Sequence, residues 1–196
     1  MPPHPYVLQY LAQNYPKPRV DEEWLESCYE WVLGENNLDP TCNMSEILKK
    51  VEEQLLGSDL RDSMQPNTGL ARNIVQARKG ATGAIPILVQ ITSVTDIGHS
   101  AFSLQSVRQM RIDRADLAGL AEQDGGEDDG PIPKYPRSML RLELSDGTTT
   151  IKAIEYRRIP QLTLDDTPLG YKVSLLHLLS LQVLKLRSRY NSRASK

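Results

Sequence analysis

The amino-acid sequence predicts an α+β fold, a helical module followed by an antiparallel sheet, from three observations. Apolar residues recur at helical spacing between residues 6 and 56. Residues 85–97 are rich in β-branched residues that alternate with other types, which indicates a strand. In residues 139–160, apolar and polar residues alternate on both sides of a Ser-Asp-Gly tripeptide. Asp and Gly tolerate the positive φ of a two-residue hairpin turn. This last segment therefore predicts a β-hairpin with one buried face.

Three short amphipathic helices are expected in the helical module. The first ends at Pro16 and Pro18, because proline cannot continue a helix. The second is capped by Asp21 and is expected to end at Gly34. Ser45 is the expected N-cap of the third. Helices of this length are not stable alone, so we expect them to pack on one another as a small bundle.

The expected first strand, residues 85–97, places Ile87, Val89 and Ile91 on one face and Leu88 on the other. About forty residues then separate this strand from the hairpin. They have moderate helical character at first, then become acidic and rich in Gly and Pro. A connection of this length is usually either functional or a disordered spacer, and both interpretations remain open at this point.

Composition excludes several classes of protein. The 196 residues are 39% hydrophobic and carry a net charge of −2, so no global field attracts nucleic acid. Two cysteines do not form a disulfide framework, which indicates a reducing compartment. The N-terminus lacks the apolar run of a signal peptide, and the leucine-rich run at 173–186 is too short to span a membrane. We expect a soluble protein of the cytoplasm or nucleus that does not contact membranes.

The side chains that most often carry catalysis or bind metals are scattered along the chain: His4, His99, His177, Cys28 and Cys42. The cysteines lack the short paired spacing of a zinc site. The Asp165-Asp166 pair is more typical of a solvated turn before Pro168 than of a cation site. We therefore expect no catalytic residue, no metal site and no cofactor, and an enzyme is the weakest of the functional hypotheses.

Several stretches resemble the RecQ-mediated genome instability protein 1 family, the accessory subunits of topoisomerase III. They are WLESCYEWV at 24–32, EQLLGSDLRDS at 53–63, LVQITSVTDIGHSAFSLQSVRQ at 88–109, and SMLRLELSDGTTTIKAIEYRRIPQL at 138–162 with TPLGYKV at 167–173. The last pair is the most specific. It combines a strand, a Ser/Thr-Asp-Gly turn, a second strand ending in Glu-Tyr-x-x-Ile-Pro, and a Pro-x-Gly turn.

The resemblance implies a three-helix bundle packed on an oligonucleotide/oligosaccharide-binding (OB) barrel. The bundle would cover residues 1–66 and the barrel residues 67–173, with the hairpin as its second and third strands. The long connection, about 98–137, would be an insertion between strands one and two.

The resemblance also implies a non-catalytic nuclear subunit that joins topoisomerase III and a RecQ-family helicase. Its insertion would enter the topoisomerase gate and modulate gate opening during double Holliday junction dissolution and decatenation, with DNA contacted mainly through the complex. The apolar residues of the insertion are candidate anchors for the topoisomerase: Phe102, Leu104, Val107, Met110, Ile132, Pro133 and Tyr135.

A second hypothesis is an OB-fold module that binds single-stranded nucleic acid directly. The candidate phosphate contacts are the basic residues near the end of the hairpin and in the C-terminal tail: Arg157, Arg158, Lys185, Arg187 and Arg189. Salt distinguishes the hypotheses, since direct DNA binding weakens steeply with ionic strength and an apolar interface does not.

The resemblance ends after Val173. Residues 174–196 have leucine at nearly every second or third position, no turn residue and a basic end, so their propensity is more helical than β. We therefore expect strands four and five of the barrel to be missing or replaced, which would leave the barrel incomplete and less stable.

Overall fold

The computed structural model describes residues 2–72, 85–124, 132–155, 157–176 and 185–188, with the backbone alone described at 117–124, 176 and 185–188. The elements in chain order are α1 (Pro5–Asn14), α2 (Glu22–Asn36), α3 (Met44–Gly57), α4 (Leu60–Ser63), β1 (Ile87–Asp96), α5 (Ala101–Asp124), β2 (Leu140–Ser145), β3 (Thr150–Ile154), β4 (Lys172–Leu176) and β5 (Lys185–Ser188). Helices precede an antiparallel sheet, so the predicted α+β class is confirmed.

The first four helices bury a continuous apolar core. Their buried residues recur at the spacing that the sequence predicts, and examples are Val7, Leu11, Val32 and Val51. A polar clamp joins the first and third helices, because the Glu52 carboxylate accepts a hydrogen bond from the Tyr10 hydroxyl at 2.9 Å and another from the Tyr15 hydroxyl. The helices are therefore held by one shared core and not by helix propensity alone.

Helix boundaries agree with the sequence prediction at one position and differ at two. Asp21 caps α2 as predicted, since its Oδ1 accepts a hydrogen bond from the Trp24 amide at 3.0 Å. The prediction that this helix ends at Gly34 is wrong, because Asn37 takes the left-handed conformation at φ 48° and forms the C-cap. The prediction of Ser45 as N-cap is also wrong, because Asn43 occupies that position.

The sheet has five antiparallel strands in the order β3-β2-β1-β4-β5, with β3 and β5 as its edges within the described residues. β1 lies at the centre and pairs with β2 along one side and β4 along the other. The register of β1 with β2 shifts between Ile91 and Ser93, so a bulge bends the strand there.

The two faces of β1 are buried in two different cores. Leu88 packs into the core of the helical bundle, and Ile87, Val89 and Ile91 pack into the core of the sheet. This is the face assignment that the sequence predicts, and it is confirmed. A single strand therefore joins the helices to the sheet through side chains on opposite faces.

The predicted hairpin is present, but its connection is longer than predicted. Ser145 pairs with Thr150, so four residues connect the strands where the sequence indicates a two-residue turn. The Asp146 carboxylate accounts for the difference, because its Oδ1 accepts hydrogen bonds from the Thr148 and Thr149 amides at 2.9 and 2.6 Å. Its Oδ2 accepts a bond from the Leu70 amide, so the same side chain also fixes the chain between bundle and sheet.

The expectation that strands four and five are missing is wrong for the described residues. Val173 pairs with Val89 in β4, and the backbone of β5 pairs with β4. Without β4, one edge of β1 would have unpaired backbone groups, and β4 pairs with them. Val173 and Leu175 also bury their side chains in the core of the sheet. These two contributions override the helical propensity of a leucine-rich segment. The rest of the predicted atypical segment, residues 177–184 and 189–196, lies outside the described residues.

Polar contacts complete the junction between bundle and sheet. The buried Gln90 side chain accepts a hydrogen bond from the Leu60 amide at 3.1 Å and donates one to the Asp59 carboxylate at 2.8 Å. The Lys172 ammonium donates to the Ser58 and Gly170 carbonyl oxygens at 2.6 and 2.8 Å. Burial lowers the pKa of Lys172, although the nearby Asp59 carboxylate acts in the opposite direction.

Replacing Gly147 by Ala tests this junction. Gly147 has φ +97°, and a Cβ there would lie 2.3 Å from the Leu60 carbonyl oxygen, so Gly147→Ala should destabilise the fold by about 2–3 kcal/mol. Gly34→Ala is the matched control, because Gly34 lies in α2 with nothing within 4 Å of its Cβ position. The control should stabilise the fold by up to about 1 kcal/mol. Urea denaturation measures both, and equal effects of the two substitutions would contradict this account.

Candidate functional site

The insertion between β1 and β2 contains one long helix, α5, at residues 101–124. The Ser100 hydroxyl begins it by accepting a hydrogen bond from the Ser103 amide at 3.1 Å. The helical character predicted for the first part of the insertion is confirmed. Most of the acidic, glycine-rich part, residues 125–131, lies outside the described residues, and the chain returns to the sheet along residues 132–139.

Asp96, the last residue of β1, holds the two ends of the insertion together. Its carboxylate is 2% exposed. Oδ1 accepts hydrogen bonds from the Gly98 and His99 amides at 2.8 and 3.1 Å, and Oδ2 accepts one from the Ser138 amide at 2.6 Å. Both ends of the insertion are therefore fastened to one buried carboxylate. We call this region, which contains Asp96, Gly98, His99 and Ser138, the stem of the insertion.

The stem is closely packed. A Cβ at Gly98 would lie 2.2 Å from the Ser138 hydroxyl oxygen, so only glycine fits there without a shift of the returning limb. The Ile97 amide also donates to the Met139 carbonyl oxygen at 2.9 Å, which extends the pairing of β1 and β2 by one step. The insertion thus begins and ends at one point on the sheet.

A buried ion pair lies beside the stem. The Arg137 guanidinium donates to both carboxylate oxygens of Glu155 at 2.7 and 2.6 Å, in the paired geometry that suits arginine and carboxylate. Arg137 also donates to the Leu162 carbonyl oxygen at 3.3 Å, and Glu155 accepts a bond from the Leu140 amide at 3.3 Å. The returning limb is therefore fixed to the segment that follows β3.

The two carboxylates of this region are held in their ionised forms. Burial acts to raise the pKa of Asp96, but the hydrogen bonds from the Ser138 amide, the His99 ring at 3.1 Å and the Gly98 amide outweigh it and lower the pKa below its usual value. Burial likewise acts to raise the pKa of Glu155, and the bonds from Arg137 and from the Ile159 and Leu140 amides lower it overall. The stem therefore depends on negative charge in the interior.

Comparison with known protein families matches both parts of this architecture. Residues 68–181 match the family model described as "RMI1, N-terminal OB-fold domain", and residues 11–63 match the one described as "RMI1, N-terminal helical domain". The chain belongs to the RecQ-mediated genome instability protein 1 family. The bundle is therefore the helical domain of that family, and the five-stranded sheet, with the insertion, is its OB-fold domain. We call the sheet and its core the barrel. The OB-fold match continues past Val173, where the sequence resemblance was expected to end.

Vertebrate relatives named RecQ-mediated genome instability protein 1 align with most of the chain. The protein of Mus musculus is 36% identical over 145 residues, which are 74% of this chain and 22% of that protein. The protein of Xenopus laevis is 34% identical over 158 residues, which are 80% of this chain and 27% of that protein. The chain thus spans about a quarter of the length of the curated relatives it matches.

The seven predicted anchor residues of the insertion fall into two groups. Phe102, Met110 and Ile132 are 81%, 47% and 62% exposed. The other four are half-buried, namely Leu104, Val107, Pro133 and Tyr135. Leu104 and Tyr135 help to line a cleft of about 360 Å³ between the insertion and the barrel. Among the insertion side chains that the structure describes, the exposed large apolar ones are therefore this first group and Ile112, which is 42% exposed and which the sequence analysis did not select.

The five predicted phosphate contacts are not all placed by the structure. Arg157 and Arg158 follow β3 and are exposed. Lys185 and Arg187 belong to β5, where the backbone alone is described, and Arg189 lies outside the described residues. The adjacent pair after β3 is therefore the part of this candidate surface that has a known position.

The described residues show no grouping that would support metal-dependent chemistry, since no three of their His, Cys, Asp and Glu side chains could hold one ion. Burial raises the pKa of the Cys28 thiol to about 11, so this thiol stays protonated and is a poor nucleophile. Among the helices of the described chain, none is long and apolar enough to cross a membrane.

The charge of Asp96 is open to a direct test by Asp96→Asn. A carboxylate whose folded pKa is depressed stabilises the fold above its unfolded pKa of 3.8, and this contribution is lost as pH falls through the lower folded value. Asp96→Asn should therefore cost about 2 kcal/mol at pH 7, and its difference from wild type should shrink as pH falls below 3.8. Urea denaturation from pH 7 to pH 3 measures it.

Asp116→Asn provides the control, because Asp116 is an exposed carboxylate on the same insertion. Its effect should be within about 0.5 kcal/mol at every pH. A difference between Asp96→Asn and wild type that is the same at pH 3 and pH 7 would contradict the role assigned to the buried charge.

Proposed function

We propose that this chain is a non-catalytic subunit of a nuclear complex of a RecQ-family helicase and topoisomerase III. In this role it supports genome stability by modulating the topoisomerase gate during double Holliday junction dissolution and decatenation. The proposal rests on membership of the RecQ-mediated genome instability protein 1 family, whose name associates it with RecQ-type helicases. DNA is contacted mainly through the complex.

One structural observation carries the proposal. The insertion of the OB-fold domain exposes apolar side chains on a segment that is fastened at its stem to a buried carboxylate. Phe102 is 81% exposed, and an aromatic side chain so exposed gains most when a partner buries it. The arrangement is typical of an interface element and not of a spacer.

A subunit without chemistry of its own can still change the rate of a topoisomerase. If the insertion contacts the open gate more extensively than the closed one, binding shifts the gate equilibrium toward opening by the difference in the two affinities. A tenfold preference for one state corresponds to about 1.4 kcal/mol, which a few buried apolar anchors supply. The exposed residues of α5 and of the returning limb are suited to this role.

Direct binding of single-stranded nucleic acid is the second candidate function. It is supported by Arg157 and Arg158, which are adjacent and exposed at the end of the hairpin. If this were the main activity, affinity would fall steeply between about 50 and 200 mM salt, as for proteins that neutralise several phosphates. Binding to topoisomerase III through apolar anchors should change little over this range.

Deleting the insertion separates binding from modulation. Gly98 and Ser138 are in contact at the stem, so a short Gly-Ser linker can replace residues 99–136 without stretching the barrel. The shortened chain should still bind topoisomerase III through the barrel, but its stimulation of decatenation should be largely lost. Pull-down and decatenation rate measure the two effects. Equal stimulation by both chains would contradict the gate role, and failure of the intact chain to bind would contradict the proposed complex.

Phe102→Ser is the point substitution that tests the same surface. Because the side chain is 81% exposed, its loss should leave stability unchanged. The concentration of chain required for half-maximal stimulation of decatenation should rise roughly thirtyfold, as for an anchor worth about 2 kcal/mol. Leu8→Ser is the control, since Leu8 is 46% exposed on α1, away from the insertion. The surface is misassigned if both substitutions have the same effect on stimulation.

A further inference from the structure

Arg111 lies in the middle of α5 and contacts two other parts of the chain. Its guanidinium donates a hydrogen bond to the Pro133 carbonyl oxygen at 3.1 Å and forms an ion pair with the Asp165 carboxylate. The same group lies over the ring of Tyr135, 5.1 Å from its centroid, which is within the range of a cation–π interaction. One side chain thus joins the outgoing helix, the returning limb and the loop between β3 and β4.

Asp165 lies on a loop that is itself well fixed. The Thr163 amide donates to the Thr167 hydroxyl at 2.8 Å, and the Asp166 amide donates to the Thr163 hydroxyl at 2.8 Å. Leu162, at the start of this loop, is 2% exposed and packs into the sheet core. Asp165 therefore presents its carboxylate from the barrel and not from the insertion.

The returning limb meets the same carboxylate. The Tyr135 amide donates to Asp165 Oδ2 at 3.4 Å, while its ring lies under the Arg111 guanidinium. The side chains of Arg111 and Asp165 are only 32% and 21% exposed, so their attraction is screened less by solvent than that of a surface pair. Arg111, Asp165 and Tyr135 together form a second fastening, which we call the clasp.

The clasp lies where apolar packing is incomplete. Between α5 and the barrel there is a cleft of about 360 Å³ lined by residues that include Val94, Leu104, Tyr135 and Leu164. A helix above a cleft of this size is not oriented by close packing alone. The direction in which α5 leaves the stem therefore depends on polar contacts farther along the helix, and Arg111 makes them.

We propose that Arg111 is a positioning residue of the insertion. It ties α5 and the returning limb to the loop between β3 and β4. We call α5 and the returning limb together the arm, and Arg111 presents the exposed apolar residues of the arm to their partner in a preformed orientation. This inference rests on the proposed function, because it assumes that the arm acts on topoisomerase III. If only a fraction of free chains hold the arm in the competent orientation, the apparent affinity falls by that fraction.

The test compares Arg111→Gln with Arg108→Gln in the full chain. Arg108 is an exposed arginine nearly one turn earlier in α5 and lines the same cleft, so both substitutions remove one positive charge from the same helix beside the same cleft. Only Arg111→Gln removes the contacts with Pro133, Tyr135 and Asp165. Hydrogen exchange of the amides of residues 101–116 in the free chain should become about tenfold faster with Arg111→Gln and stay unchanged with Arg108→Gln. The melting temperature of the chain, which reports on the bundle and the sheet, should be the same in both variants.

Stimulation of decatenation provides the functional measurement. If the competent fraction falls to roughly a tenth, the concentration of Arg111→Gln chain required for half-maximal stimulation rises about tenfold, while stimulation at saturation is retained. A loss of saturating stimulation with unchanged half-maximal concentration would overturn the positioning role, because it would mean that Arg111 acts on the gate itself. Unchanged hydrogen exchange and unchanged stimulation would overturn it as well.

Two more variants check the partnership in the clasp. Asp165→Asn should reproduce the effects of Arg111→Gln, and the double variant should be no worse than either single one, since both break the same contact. Arg111→Lys should cause a smaller defect than Arg111→Gln but should not match the wild-type chain. An ammonium keeps the positive charge but cannot contact a carboxylate, a carbonyl oxygen and an aromatic ring at the same time. Additive effects of Asp165→Asn and Arg111→Gln would overturn the clasp.

Failure of this inference can be told apart from failure of the proposed function. Hydrogen exchange is measured without topoisomerase III, so it judges the clasp directly. If wild-type chain neither binds nor stimulates topoisomerase III, the proposed function is overturned and with it the role of Arg111 toward a partner. If wild-type chain stimulates and Arg111→Gln loosens the arm without shifting the half-maximal concentration, the proposed function stands and the positioning role is overturned.

Discussion

Burial of both faces of β1 is the constraint on which the rest of the structure depends. Leu88 belongs to the core of the bundle and its neighbours on the opposite face belong to the core of the barrel, so neither core is complete without this strand. Both edges of β1 are also paired, by β2 and by β4. A strand held on four sides is a rigid base, and the insertion leaves directly from its end at Asp96.

Charged and hydrogen-bonded groups attach the insertion to this base, beside half-buried apolar residues such as Leu104 and Tyr135. Asp96 and the Arg137–Glu155 pair fix its stem, and Arg111 fixes it farther out. This arrangement leaves apolar side chains of α5 free to face outward, because they are not needed to hold the helix on the barrel. Apolar residues that face outward do not orient the helix, and buried or half-buried ion pairs provide that orientation instead.

The sequence predicted the elements whose patterns are local. The alternation of Ile87, Leu88 and Val89 predicted which side of β1 meets which core, and the hairpin followed from its Ser-Asp-Gly tripeptide. The length of the hairpin connection did not follow, because it depends on a carboxylate that also binds the distant Leu70 amide. Strand β4 was missed because leucine-rich composition favours a helix, whereas the free edge of β1 decides the outcome.

The same difference between local patterns and contacts of distant residues applies to the candidate site. Phe102 was selected as a candidate anchor because apolar residues in a polar connection are visible in sequence, and the structure shows its side chain exposed. The contacts that orient them were not predicted, since Arg111 and Asp165 are separated by 54 residues and no local pattern links them. The family resemblance predicted the fold and the position of the insertion, and the side chains that fasten the insertion became visible only in three dimensions.

The contact between Gly98 and Ser138 has a consequence for how such chains can vary. Because both ends of the insertion meet at one carboxylate, the barrel experiences the same boundary whatever lies between them. Doubling the length of a flexible connection adds only about 0.6 kcal/mol to the entropy of closing it. The length and composition of the insertion can therefore change over evolutionary time with little effect on folding of the barrel, so that selection on the insertion is separated from selection for stability.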